Sequence, residues 1–151
     1  RLENTLVIIT SEHGVTFNEM NEKERENYFG RDEVQVPLLV YWKDLPVGKQ
    51  YGLSSHTDIL PALMRQIFHV ENRLMDYTQG YNLFDLSGRD WVQASNFNWN
   101  VIIQSDGTQY HINRKGNYKK FNPNYEEQSS DRPPLGLFLE TFQLDNQFFE
   151  K

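Results

Sequence analysis

The chain has 151 residues, 24% of them charged, with a formal charge of −6 and no cysteine. That length supports one hydrophobic core rather than several. The acidic balance argues against a nucleic-acid partner, which needs a basic face to displace counterions. Without cysteine there is neither a disulfide framework nor a thiolate metal site. No apolar run approaches the ~20 residues that a membrane-spanning helix takes.

Thr5 to Thr10 is an unbroken aliphatic and β-branched run. Such a run predicts a strand buried on both faces, as in a parallel sheet with helices above and below. Ser11, Glu12, His13 and Gly14 follow at its carboxyl end, where open α/β sheets place ligands. A carboxylate beside an imidazole there can bind a divalent metal or perform acid–base chemistry. A polar turn closing a core strand is the plainer alternative. Residues 15–34 are polar and charged and are expected to be a solvated excursion.

Pro37 to Trp42 predicts a second buried strand, entered at a proline whose missing N–H costs least there. Pro46 and Gly48 mark the connector that follows. Asp58 to about His69 predicts a helix, with Asp58 as N-cap and Pro61 in its first turn. Its apolar stripe is Ile59, Leu60, Leu63, Met64, Ile67 and Phe68. His69, near the carboxyl end, suits the helix dipole and is expected to be structural. His56, just before this helix, is either a capping and hydrogen-bonding residue or a side chain facing the strand-tip crevice. Residues 73–88 read as an irregular linker between subdomains.

Trp91–Ser95, Trp99–Gln104, Thr108–Asn113 and Asn117–Phe121 predict short strands. Asp106-Gly107 and Lys115-Gly116 separate the last three as tight turns, giving an antiparallel meander. His111, Arg114, Lys115, Lys119 and Lys120 form a local basic cluster on it. The cluster is either a solvated sheet face or a contact for anionic lipid head groups. The closing helix is expected from about Pro134 to Phe149. Leu135, Phe138, Leu139, Phe142 and Phe149 lie on one face of it, with Asp131 and two prolines at its start, and it is expected to cover one face of the meander. The resulting division places an α/β core in residues 1–88 and a small antiparallel subdomain with a terminal helix in residues 89–151.

The segment Thr5 to Gly14 resembles the strand-plus-SDHG segment of the sulfatase branch of the alkaline phosphatase superfamily. Val36–Trp42, Ser55–Met64 and Asp76–Phe84 fit the same family in the same order. The resemblance covers essentially the whole chain. It is closest in character to a Gram-negative inner-membrane branch with a periplasmic sulfatase-like domain. It implies a partial α/β sulfatase-like domain, with the rest of that domain and several membrane segments elsewhere in a multi-pass parent. Arg1, followed almost at once by a core strand, points the same way. A chain holding only part of a parallel sheet is expected to self-associate through its edges or to pair with its missing half.

The resemblance also implies that Glu12 and His13 stand at metal-ligand positions, with Mg²⁺ or Mn²⁺ as the metal and His56 and Ser11 lining the site. Glu12 replaces the family's Asp, which moves the carboxylate by ~1 Å or more against metal–oxygen bonds of ~2.0–2.6 Å. The returning loop, which in the family carries a His-Gly pair, here reads Tyr28-Phe29-Gly30-Arg31-Asp32-Glu33. The family's nucleophile belongs to segments outside this sequence, and no catalytic residue is assigned within it. A non-catalytic module is therefore expected, in a parent that senses lipopolysaccharide and acts through a LapB-type regulator. A metal-dependent phosphatase or sulfatase is the alternative, and cardiolipin binding or transport a further one.

Overall fold

The computed structural model describes residues 2–17, 20, 28–129 and 134–147. The chain forms two compact units, residues 1–50 and 51–151. Asp131 and Phe149, expected at the two ends of the closing helix, lie outside the described residues.

The first unit opens on a short 3-10 turn, Leu2–Asn4. Strand β1 (Val7–Thr10), helix α1 (Arg31–Val34) and strand β2 (Leu38–Tyr41) follow. The two strands pair antiparallel, Val7 opposite Tyr41 and Thr10 opposite Leu38. This corrects the expected parallel core for the pair. An apolar run reports how much burial a strand needs and nothing about its direction. Parallel neighbours need a crossover of a dozen or more residues, usually a helix, and the only helix described in this connection is the four-residue α1. Ile9 and Leu39, directly opposite each other, are 58% and 53% exposed. The ribbon therefore presents one open apolar face among the described residues.

The second unit begins with a helical run. Ser55 is extended (φ −136°) and caps a 3-10 turn, His56–Asp58, that leads directly into helix α2 (Ile59–Gln66). Asp58 is thus the third residue of the run rather than its cap. Its carboxylate accepts the Ser55 N–H at 2.7 Å, the return half of a capping box. The side chain is 0% exposed, and it serves more than the helix end. It also accepts the Tyr81 N–H at 2.8 Å and pairs with the guanidinium of Arg89. Arg89 lies over the Tyr81 ring at 4.7 Å and donates from Nε to the Trp91 carbonyl at 3.1 Å. One buried anion thereby ties the helix start, the 80–81 segment and the entry to the meander together. A Cβ on Gly80 would sit 2.0 Å from the Thr57 carbonyl oxygen, so only glycine fits this approach.

Helix α2 buries Pro61 and Ala62, while Leu60 and Phe68 of the expected stripe remain exposed. His69 lies beyond the helix in the left-handed region (φ 53°). There it turns the chain so that Val70 N–H reaches the Met64 carbonyl at 2.9 Å.

The meander is a five-stranded antiparallel sheet in chain order. Its strands are β3 (Trp91–Ser95), β4 (Trp99–Gln104), β5 (Gln109–Asn113), β6 (Tyr118–Phe121) and β7 (Glu127–Gln128). The two-residue edge strand β7 was not expected from sequence, being too short to carry a pattern. Each corner is locked by its own side chain. Asn96 Oδ1 accepts from Asn98 and Trp99 N–H, and Asp106 Oδ1 from Thr108 N–H. Asn113 Oδ1 accepts from Lys115 and Asn117, and Asn122 Oδ1 from Asn124 and Glu126. Gly107 (φ 88°) and Gly116 (φ 81°) supply the left-handed residues that two of these corners need.

Both faces of β4 are buried. Val101 lies on one face with His111, and Ile102 on the other with Tyr110. Helix α3 (Leu135–Asn146) covers the Tyr110 face, with the Phe138 ring 6.3 Å from Tyr110 and 6.5 Å from Tyr118. Gln93 Nε2 donates to Asp145 at 3.1 Å on the same side. The helix covers the meander as expected, through a different stripe. Phe138 and Thr141 are buried, whereas Leu135, Leu139 and Phe142 are exposed.

Removing one member of a buried ion pair leaves its partner's charge unpaired in a medium that solvates it poorly. Asp58→Ala and Arg89→Ala are each expected to lower unfolding stability by about 3–5 kcal/mol in denaturant titrations. The double substitution should fall well short of their sum, because the orphaned charge is gone.

Candidate strand-tip site

The candidate metal ligands follow β1 directly, because the strand ends at Thr10 and the chain turns in four residues. Ser11 Oγ donates to the His13 carbonyl at 2.7 Å, closing a tight side-chain turn. His13 Nδ1 lies 2.6 Å from the Gly14 carbonyl oxygen. A carbonyl only accepts, so Nδ1 carries the proton and, in the neutral ring, Nε2 carries the lone pair. That is the tautomer a histidine uses to bind a metal through Nε2. Glu12 and His13 are both exposed.

The loop returns onto this tip. Gly14 N–H donates to the Glu33 carbonyl at 2.7 Å, and a Cβ on Gly14 would meet the Asp32 carbonyl oxygen at 2.0 Å. The glycine of the tip is therefore fixed by close backbone approach. In the returning loop, Tyr28 Oη donates to Asp32 Oδ1 at 2.7 Å. The Tyr28 hydroxyl holds the Asp32 carboxyl below the usual range, with a further hydrogen bond from Thr16 in support and slight desolvation opposing. A Cβ on Gly30 would fall 2.0 Å from the Tyr28 ring, and Phe29 is buried beside it. Sequence inspection missed Tyr28 and Asp32 as a pair; their i, i+4 spacing in the returning loop was the available signal.

Glu12 and His13 offer a divalent metal one carboxylate and one imidazole of the four to six donors it takes. Among the described residues, no group of three or more His, Cys, Asp or Glu converges to complete such a set. The donor chemistry suits Mg²⁺, Mn²⁺ or Zn²⁺, but these residues alone do not make a site. His56 belongs to the second unit, exposed at the start of the 3-10 turn.

The basic cluster is dispersed by the geometry of its strand. Successive strand residues point to opposite faces, so Lys119 lies on the His111 face and Lys120 on the Tyr110 face. Lys119 Nζ pairs with Glu127 at 2.7 Å, and Lys120 Nζ stands 5.8 Å from the Tyr110 ring centre. Arg114 and Lys115 are exposed on the β5–β6 turn. His111 is no part of a basic surface. It is 1% exposed, packs 4.5 Å from the Phe121 ring, and shares a hydrogen bond with Gln109 Oε1 at 2.9 Å. Burial, with the nearby Lys119 charge, pushes its pKa down from 6.5 to about 4.

Two predictions follow from this geometry. Gly14→Ala should cost about 1–3 kcal/mol through the enforced backbone shift, read as faster hydrogen exchange of β1 and β2 amides, while Glu12→Ala leaves exchange unchanged. For His111, the unfolded state takes up a proton below pH 6.5 while the folded state stays neutral to about pH 4. Its contribution is present above pH 6.5 and is lost as pH falls to about 4. That gap, at 1.36 kcal/mol per pH unit, amounts to about 3 kcal/mol. Melting temperatures between pH 7 and pH 4 should therefore fall less steeply in His111→Phe than in the parent sequence.

Residues 1–69 match the sulfatase family model. The chain is 80% identical over 99% of its length to a Haemophilus influenzae protein described as uncharacterized, of which it spans 26%. It is 28% identical over 98% of its length to the inner membrane protein YejM of Salmonella typhimurium, and equally to that of Salmonella typhi, spanning 25% of each. The chain thus spans about a quarter of the length of the curated relatives it matches. Among the described residues no helix is long and apolar enough to cross a membrane. The first 69 residues thus match the sulfatase family, and the chain over nearly its whole length is similar to part of YejM.

Proposed function

We propose that this chain is part of a non-catalytic, periplasmic, sulfatase-like module of an inner-membrane protein. That protein senses lipopolysaccharide and regulates its synthesis and outer-membrane assembly through a LapB-type regulator. The observation that carries the reading is the similarity to YejM across 98% of the chain, both inside and beyond the sulfatase match. Two departures at the strand tip support the loss of turnover. Glu12 stands where the family carries Asp, and the hydrogen-bonded Tyr28 and Asp32 occupy the segment where it carries His-Gly. A longer carboxylate displaces its oxygens from a metal that tolerates only a few tenths of an ångström.

A metal-dependent phosphatase or sulfatase is the second reading. It is favoured by the His13 tautomer, which presents Nε2 as an acceptor. In that case Glu12 and His13 would hold Mg²⁺ or Mn²⁺, which would polarise the ester oxygen, and the remaining ligands and nucleophile would come from other parts of the parent.

The full-length parent, assayed with p-nitrophenyl phosphate and p-nitrophenyl sulfate with and without Mn²⁺, is expected to show no turnover above buffer. His13→Ala in the parent should leave cellular lipopolysaccharide output unchanged. Mn²⁺-dependent hydrolysis abolished by His13→Ala would establish the second reading instead.

A further inference from the structure

We infer that two copies of this chain pair through strand β3, antiparallel across a twofold axis, joining their meanders into one continuous sheet. β3 stands at the end of the strand order, and among the described residues no strand lies beyond it. Asn96 N–H donates to the Trp99 carbonyl at 3.0 Å and Ser105 N–H to the Asp90 carbonyl at 2.8 Å. The ladder to β4 therefore runs through Val92 and Ala94, because antiparallel partners alternate between bonded and unbonded pairs. The backbone N–H and C=O groups of Gln93 and Ser95 point the other way and make no hydrogen bond among the described residues. The opposite edge of the meander is guarded. β7 has two residues, and its Glu127 pairs with Lys119 at 2.7 Å. β3 has five residues with neither a proline nor a charge. No residue from Trp91 to Ser105 is charged, in a chain where 24% are, so the usual devices against edge pairing are missing from this edge.

The occupant is a second copy because β3 is complementary to itself. The register that uses every outward backbone group places Gln93 opposite Gln93 of the second copy. Trp91 then faces Ser95 of the second copy, and Val92 faces its Ala94, so large side chains meet small ones on both faces of the joined sheet. The Trp91 carbonyl already accepts from Arg89 Nε at 3.1 Å and keeps a second lone pair for the ladder. At the axis the two Gln93 amides can bond each other. Each Nε2 gives one hydrogen to its own Asp145 at 3.1 Å and retains another, while Oε1 stays an acceptor. Asp145 beside the axis and the net charge of −6 on each copy oppose the approach. Pairing should therefore tighten as salt screens these charges, the reverse of a contact held by ion pairs.

Pairing through β3 is independent of ester hydrolysis and of lipopolysaccharide output. Sedimentation equilibrium of the purified chain over the micromolar range is expected to show a monomer–dimer equilibrium that strengthens as salt is raised. Amide exchange at Gln93 and Ser95 should slow with rising concentration, whereas Val92 and Ala94, already bonded to β4, should respond far less. Ser95→Pro removes an outward N–H and sets a ring in the interface without breaking a bond to β4. Its melting temperature should stay close to that of the parent sequence while the dimer dissociation constant rises at least about tenfold. Leu39→Gln, on the open apolar face of the β1–β2 ribbon, should leave that constant unchanged. A chain that stays monomeric throughout, or a dimer dissociated by Leu39→Gln and not by Ser95→Pro, would overturn the pairing. Slow exchange of Gln93 and Ser95 in a monomeric full-length parent would overturn it too, assigning this edge to a strand of the parent.

Discussion

A single carboxylate organises the larger unit. Asp58 is wholly buried, and its two oxygens are shared among the Ser55 N–H, the Tyr81 N–H and the Arg89 guanidinium. Neither charge is tolerable alone in that environment, so the helical run, the 80–81 segment and the first strand of the meander must be in place together. The geometry around the pair admits little variation. Gly80 lies against the Thr57 carbonyl, and the Arg89 guanidinium is sandwiched between the carboxylate and the Tyr81 ring. A stretch without regular secondary structure is thereby held as firmly as the elements it joins.

The smaller unit is built on a different constraint, the approach of one backbone to another. The returning loop hydrogen-bonds to Gly14 and leaves no room for a side chain there. His13, one residue earlier, has its ring orientation set by the Gly14 carbonyl. The backbone of the tip is fixed by this approach, while Glu12 and His13 remain exposed beside it. Scaffold and chemistry are separable at this place.

The meander was legible because its signals are local. β-Branched and aromatic runs alternate with Asx and glycine corners, and each corner's side chain closes its own turn. The strand tip was legible as a tip for the same reason. The relative direction of β1 and β2 was not, because apolar content says nothing about which way a neighbour runs. The helix faces were misread where size was taken for burial: Thr141 and Ala62 are inside, and Leu139, Phe142 and Phe68 are not. His111 looked basic among lysines and arginines in the sequence, yet strand alternation turns it into the aromatic cluster with Phe121 and Tyr125. Arg89 gave no warning, since a charged residue between turn residues usually faces water. Its partner is 31 positions away.

The self-closing corners of the meander have a kinetic consequence. Each hairpin brings together residues only a few positions apart, so ring closure is inexpensive and pairing can zip outward from Asn96, Asp106, Asn113 and Asn122 within microseconds. Docking the helical run onto the finished ribbon instead waits for Asp58 and Arg89 to meet across a much longer segment. Nascent chains would then hold an ordered ribbon while Arg89, still hydrated, awaits its counter-ion.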